Sequence, residues 1–140
     1  MLAPSNSWYK GTPNHNTYTS ILITTNYTPT DTEDEEWNAD SENAGTIKGY
    51  RVGTELILSI TNGARFLYAN PNSSQAFGGN SSATRWSKVT SFVGTELINT
   101  KKVVNMERMF DGLFLLENLE VGHFNTSLVT NMDMVFNNCE

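Results

Sequence analysis

The groups best suited to chemistry in this chain are its carboxylates. Asp31, Glu33, Asp34, Glu35, Glu36, Asp40 and Glu42 crowd into the segment 31–42. Closely spaced hard oxygens of this kind suit Ca2+, which takes about six to eight of them. The segment nevertheless lacks the alternating Asp/Asn loop with its glycine and distal Glu, and adjacent acids mostly repel one another and stay hydrated. The expectation is therefore a solvated acidic loop over 31–42 and no metal. Glu55 and Glu96 recur in two copies of the hexapeptide VGTELI, at 52–57 and 93–98. Paired carboxylates can hydrolyse a glycosidic bond, but a shared strand-edge turn with an outward Glu accounts for the recurrence. His15 and His123 stand far apart with no Cys or second His at metal-ligand spacing. Cys139 has no partner base and is expected as a small buried apolar residue. These residues predict no enzyme, no cofactor and no metal.

Aromatic side chains are the remaining candidates for recognition. Tyr and Trp bury a large area at low entropic cost, so Trp8, Tyr9 and Trp37 are candidate recognition aromatics, with Tyr18, Tyr27 and Tyr68 as further members of such a platform.

What must position these groups is read best from a repeat. The run 99–110 returns at 125–136 with an offset of 26 residues: Thr100/Thr126, Val103/Val129, Asn105/Asn131, Met106/Met132 and Phe110/Phe136. A period of that size marks stacked supersecondary units. Val103, Met106, Met109 and Phe110 follow the 3, 4 spacing of a helical face, so the spacing predicts a short helix over 103–110. Asn105 and Asn131 are its candidate caps, with Gly112 as the stop. Leu119 and Val121 alternate in a predicted strand over 116–124. The expected repeat core comprises Val103, Met106, Met109, Phe110, Leu119, Val129, Met132, Val135, Phe136 and Cys139.

The segment NTSLVTNMDMVFNNC (125–139) resembles the 26-residue repeat of the BspA-like leucine-rich-repeat surface proteins, whose pattern is close to DTSNVTNMSxMFxGC. Asn131, Met132, Phe136 and Cys139 fall on motif positions, as do Asn105, Met106, Met109 and Phe110. Val135 replaces the second Met of the pattern, and Leu113 stands where the family has Cys. The β-rich stretch 45–77 with ANPNSSQAF, and VTSFVGTELINTKKVVNM at 89–106, are similar to the segments that precede and open such repeats. SWYKG, YTPT and the acidic stretch before Trp37 are similar to versions encoded by phages and prophages of gut bacteria. The resemblance implies a virion-associated structural or attachment protein (a decoration, fibre or tail component). The alternative is a fragment of a bacterial cell-surface adhesin. The implied partners are other virion or surface proteins and a host-cell surface protein or glycan, within an oligomer or larger assembly.

Upstream, the chain reads as strands: 18–27 alternates, 46–52 and 54–60 turn about Gly53, and 66–69 and 89–93 follow. The expected architecture is α+β, with a β-rich N-terminal module over 1–88 and leucine-rich repeats over 89–140, the last unit incomplete. A stack ending there would leave Met132, Val135 and Phe136 as an apolar edge for another subunit or chain to cover. At 140 residues the chain is long enough for a modest core. Its net charge of −6 argues against nucleic acid, which needs clustered Lys and Arg; Lys101-Lys102 is the densest basic spot. No apolar run is long enough to span a bilayer, so no membrane insertion is expected.

Overall fold

The computed structural model describes residues 1, 15–40, 46–79 and 85–140. Seven strands are present among them: β1 (Ser20–Thr25), β2 (Glu35–Asn38), β3 (Ile47–Val52), β4 (Glu55–Ile60), β5 (Leu67–Tyr68), β6 (Ser91–Val93) and β7 (Ile98–Asn99). The first four and β6 form one sheet in the order β2-β3-β4-β1-β6, and β5 pairs with β7 in a second. β2, β3 and β4 run antiparallel in sequence, whereas β1 lies parallel to both β4 and β6.

Local chemistry accounts for these elements. β1 alternates Ile21 and Ile23 inward with half-exposed neighbours, the period-2 pattern of a strand with one buried face. In β4 every residue from Leu56 to Ile60 is buried, as expected for a strand with both faces covered. Gly53 takes φ +58 between the paired ends Val52 and Glu55, a conformation that a two-residue hairpin demands.

The repeat region departs from expectation. Among the described residues there is no α-helix, only two 3-10 turns at His15–Thr17 and Thr95–Leu97. The α+β strand–helix stack predicted above is thus replaced by an almost entirely β and turn architecture, and 116–124 forms no strand. Residues 105–112 run instead as overlapping β-turns, closed by Met109 N–H to Met106 O (3.0 Å) and Asp111 N–H to Arg108 O (3.2 Å). The intervening N–H groups leave the segment altogether. Met106, Arg108, Phe110 and Gly112 donate to the carbonyls of Asn131, Asp133, Val135 and Asn137 at 2.8–2.9 Å. A helix over 103–110 would turn the Arg108 and Phe110 donors back onto carbonyls four residues earlier in its own chain. Arg108 (φ +52) and Met134 (φ +56) also occupy the left-handed region, which a right-handed helix cannot contain. The 3, 4 apolar spacing that suggested a helix serves this turn run equally well.

A third copy lies upstream. Ser73, Gln75, Phe77 and Gly79 donate to the carbonyls of Asn105, Glu107, Met109 and Asp111, and Asn72 bridges to Asn105 as Asn105 does to Asn131. The segments 72–79, 105–112 and 131–138 are therefore three rungs of one ladder, and the first precedes the expected boundary at 88/89. Gln75 (φ +55) repeats the left-handed position of Arg108 and Met134. Gly78 allows the close approach of the first two rungs, since a Cβ there would meet the Asp111 backbone nitrogen at 2.5 Å.

Sheet and ladder share one hydrophobic core, from Tyr18 to Val135. The Phe92 ring of β6 lies 5.0 Å from Phe77 and 6.3 Å from Phe110. Down the ladder Phe77, Phe110 and Phe136 stack nearly parallel, 5.9 and 5.7 Å apart at 7° and 3°.

Candidate assembly surface

The third rung has one covered and one open side. Its carbonyls at Asn131, Asp133, Val135 and Asn137 are taken by the second rung. Its N–H groups at Met132, Met134, Phe136 and Asn138 carry no hydrogen bond among the described residues. The side chains change in the same direction. Met106 and Phe110 are fully buried, whereas their third-rung counterparts Met132 and Phe136 are 49% and 47% exposed. Met134 and Leu128 are also exposed, and an apolar cleft of about 120 Å3 opens between Phe110, Phe124, Met132 and Phe136. Large apolar side chains grouped around N–H groups left unbonded among the described residues set this edge apart from scattered surface hydrophobics.

Of the expected repeat core, Val103, Met106, Met109, Phe110 and Val135 are buried, and Leu119 and Val129 are half-buried against it. Met132, Phe136 and Cys139 are exposed. Cys139 is therefore no buried motif residue, although its thiol donates to the Phe110 carbonyl at 3.1 Å, and partial burial raises its pKa. Within the expected edge, Met132 and Phe136 face outward while Val135 points into the core. Asn105 and Asn131 cap no helix. Each instead accepts the N–H two residues on, from Glu107 at 2.9 Å and Asp133 at 3.0 Å, so each opens a rung as an Asx-turn.

The rungs are also joined by a group that sequence reading missed. Asp111 is fully buried and accepts from Arg108 Nη1 (2.7 Å), Asn137 Nδ2 (3.1 Å) and Asn138 Nδ2 (3.0 Å). A buried carboxylate needs such partners to offset its lost hydration. The available signal was its position one residue before Gly112, at the end of a rung.

The acidic segment is not a free loop. Its centre is β2, an edge strand whose Glu36 pairs with Lys48 at 3.0 Å, while Asp34 and Glu35 face Arg51 at 3.2 and 3.4 Å. Asp40 is buried and accepts from the Thr46 and Ile47 backbone N–H groups. Glu33 accepts from the Tyr27 hydroxyl at 2.6 Å. Glu42 lies outside the described residues, and among the described residues no group of three or more His, Cys, Asp or Glu could hold a metal ion.

Trp37 is only 6% exposed and so is no recognition aromatic. It pairs across β2–β3 with Gly49, where a Cβ would meet the indole Nε1 at 2.6 Å. Trp8 and Tyr9 lie outside the described residues. Tyr18 is buried beside Trp86, Tyr27 is half-buried, and Tyr68 is 46% exposed. Glu55 begins β4 and Glu96 sits in the turn Thr95–Leu97. His15 is buried against Trp86, 4.7 Å between rings. His123 Nε2 lies 2.8 Å from the Thr95 carbonyl, at the rim of a groove of about 300 Å3 shared with Phe66, Glu96, Asn99, Lys101 and Asn125.

Residues 73–140, just under half of the chain, match a protein family described as "Mycoplasma protein of unknown function, DUF285". The matched stretch begins inside the first rung and takes in the other two. No curated protein and no solved structure matches the chain.

Proposed function

We propose that this chain is a non-enzymatic assembly and attachment module of an exterior-facing particle or surface, with a virion structural or attachment protein as the leading reading. The observation that carries it is the open third rung. Four N–H groups without a hydrogen bond among the described residues, beside the exposed side chains of Met132, Met134 and Phe136, support contact with further protein at this edge. The 26-residue period, the resemblance to BspA-like repeats in their phage-encoded version and the acidic, Asn- and Thr-rich composition support the same reading. A bacterial cell-surface adhesin is the second reading, favoured by the match to a family associated with BspA-like surface proteins. A glycan on a host surface would find mixed donors and acceptors beside Phe66 in the His123 groove.

Antibody against the whole chain, applied to purified particles and to cell-envelope fractions of the source, tests the proposal. Signal on particles is the expected result. Signal confined to the envelope selects the adhesin, and glycan turnover by the purified chain overturns the non-enzymatic assignment.

A further inference from the structure

We infer that the groove beside His123 is a binding site for a neutral saccharide, held by Phe66, Glu96, Asn99, Lys101, His123 and Asn125. This site deepens the attachment half of the reading above, on which it rests, by giving it a place and a ligand class.

The repeat builds the polar wall of the groove. Asn99 and Asn125 hold the same repeat position, 26 residues apart. The buried Thr100 hydroxyl accepts the Asn125 N–H at 2.8 Å and donates to the Asn125 carbonyl at 3.1 Å, which clasps the two turns together. Each Asn opens an Asx-turn, with Asn99 Oδ1 accepting the Lys101 N–H and Asn125 Oδ1 the Ser127 N–H, both at 3.0 Å. The oxygen end of each amide is thereby pinned. Each Nδ2, a double donor, has no hydrogen bond among the described residues. His123 is fixed in a similar way. The Thr95 carbonyl can only accept, so Nε2 carries the proton and the neutral ring keeps Nδ1 as an acceptor.

The groups left over select the ligand. Glu96 and Lys101 are both exposed at the groove, and neither side chain has an ion pair or hydrogen bond among the described residues. A phosphate or carboxylate drawn by Lys101 also meets the Glu96 carboxylate, and a cation drawn by Glu96 meets Lys101. A zwitterion satisfies these two charges but leaves the asparagine amides and His123 Nδ1 without partners. A ring bearing several hydroxyls serves all of them, because each hydroxyl both donates and accepts. Phe66 supplies apolar surface for the C–H face of such a ring, with the Arg65 guanidinium 5.3 Å from its centroid. Tyr68, two residues on and exposed, carries the aromatic surface on to Asn99, its strand partner. At about 300 Å3 the groove stands at the lower end of small-ligand sites, which suits a short saccharide. Amides and imidazole pinned before binding lose little freedom on contact.

The test screens the full chain on a printed array of neutral and acidic glycans. The strongest neutral binder is then titrated into isotope-labelled chain and read by NMR. Shifts should centre on the six groove residues, the Nδ2 groups of Asn99 and Asn125 included. Glu96→Gln, a near-isosteric change at an exposed side chain, and Phe66→Ala should each weaken binding at least tenfold with the circular dichroism of the parent retained. Retention of no neutral glycan, a preference for acidic ones, or shifts outside the groove overturns the inference. So does the same shift pattern with inorganic phosphate or glycine alone, or an affinity that survives Glu96→Gln. If no neutral glycan binds while antibody finds the chain on particles, the saccharide site fails and the attachment reading stands. If the groove binds glycan while the chain is absent from particles and envelope, the site stands and that reading fails.

Discussion

Phe110 and Phe136 lie face to face, 5.7 Å between centroids and 3° between planes, yet one is fully buried and the other almost half exposed. Stacking is shared equally between the two rings, but desolvation is not. Phe110→Ala should therefore destabilise the chain by about 3–5 kcal/mol, the range for a large core aromatic that leaves a cavity. Phe136→Ala should cost only about 1 kcal/mol, since roughly half of its area never left water. Urea unfolding of both variants checks the pair; equal losses would mean that the third rung is covered in the free chain.

Asp111 ties the second rung to the third through Arg108, Asn137 and Asn138. Removing it leaves a largely buried guanidinium and two amides without their acceptor, a larger effect than losing an exposed ion pair. Asp111→Ala should lower stability by about 3 kcal/mol. The ladder amides of Arg108 and Phe110 should then exchange faster than those of β4, which hydrogen exchange can resolve.

How much of this was legible beforehand varies with the range of the interaction. β1, β3 and β4 follow from alternation and from Gly53, all local signals. The 26-residue offset is visible in the chain and reappears as the Asn105–Asn131 bridge. The first rung was hidden because Ser73 and Ala76 replace the methionines of the motif and the spacing stretches to Asn72–Asn105. The helix over 103–110 was misread because apolar spacing cannot tell a helix from a turn run whose amides bond to another rung. Trp37 was misplaced because its burial depends on Gly49, a partner brought opposite it only by strand pairing. The open donor edge of the third rung has no sequence signal, since it follows from which amides close turns.

The Tyr27 hydroxyl donates to Glu33 at 2.6 Å, and this bond pushes the Tyr27 pKa from its ordinary 10.0 up to about 12 and holds Glu33 below its ordinary 4.5. Deprotonating the phenol or protonating the carboxylate weakens the same contact. The Glu33 contribution is present above 4.5 and drains as pH falls through its lowered folded value. The Tyr27 contribution is complete below 10 and disappears as pH climbs toward 12. A phenolate absorbance titration of Glu33→Gln should show one of the five tyrosines moving to lower pH. Superimposable curves for variant and parent would refute the assignment.

Arg108 and Met134 hold the same left-handed place in successive rungs, at φ +52 and +56, but only Arg108 has a bonded side chain there. A side chain in this region costs about 1–2 kcal/mol relative to the right-handed form, and glycine escapes that cost while losing about 0.5–1 kcal/mol of chain entropy on folding. Met134 is 52% exposed, so the half of its area that is buried offsets the relieved backbone, and Met134→Gly should leave stability unchanged to within about 0.5 kcal/mol. Arg108→Gly relieves the same backbone but strips Asp111 of its cation inside the ladder, and the balance becomes a loss of about 2 kcal/mol. Thermal unfolding of the two variants side by side should show a clear fall for Arg108→Gly alone. A gain at both positions would mean that the Arg108–Asp111 pair contributes nothing to the fold.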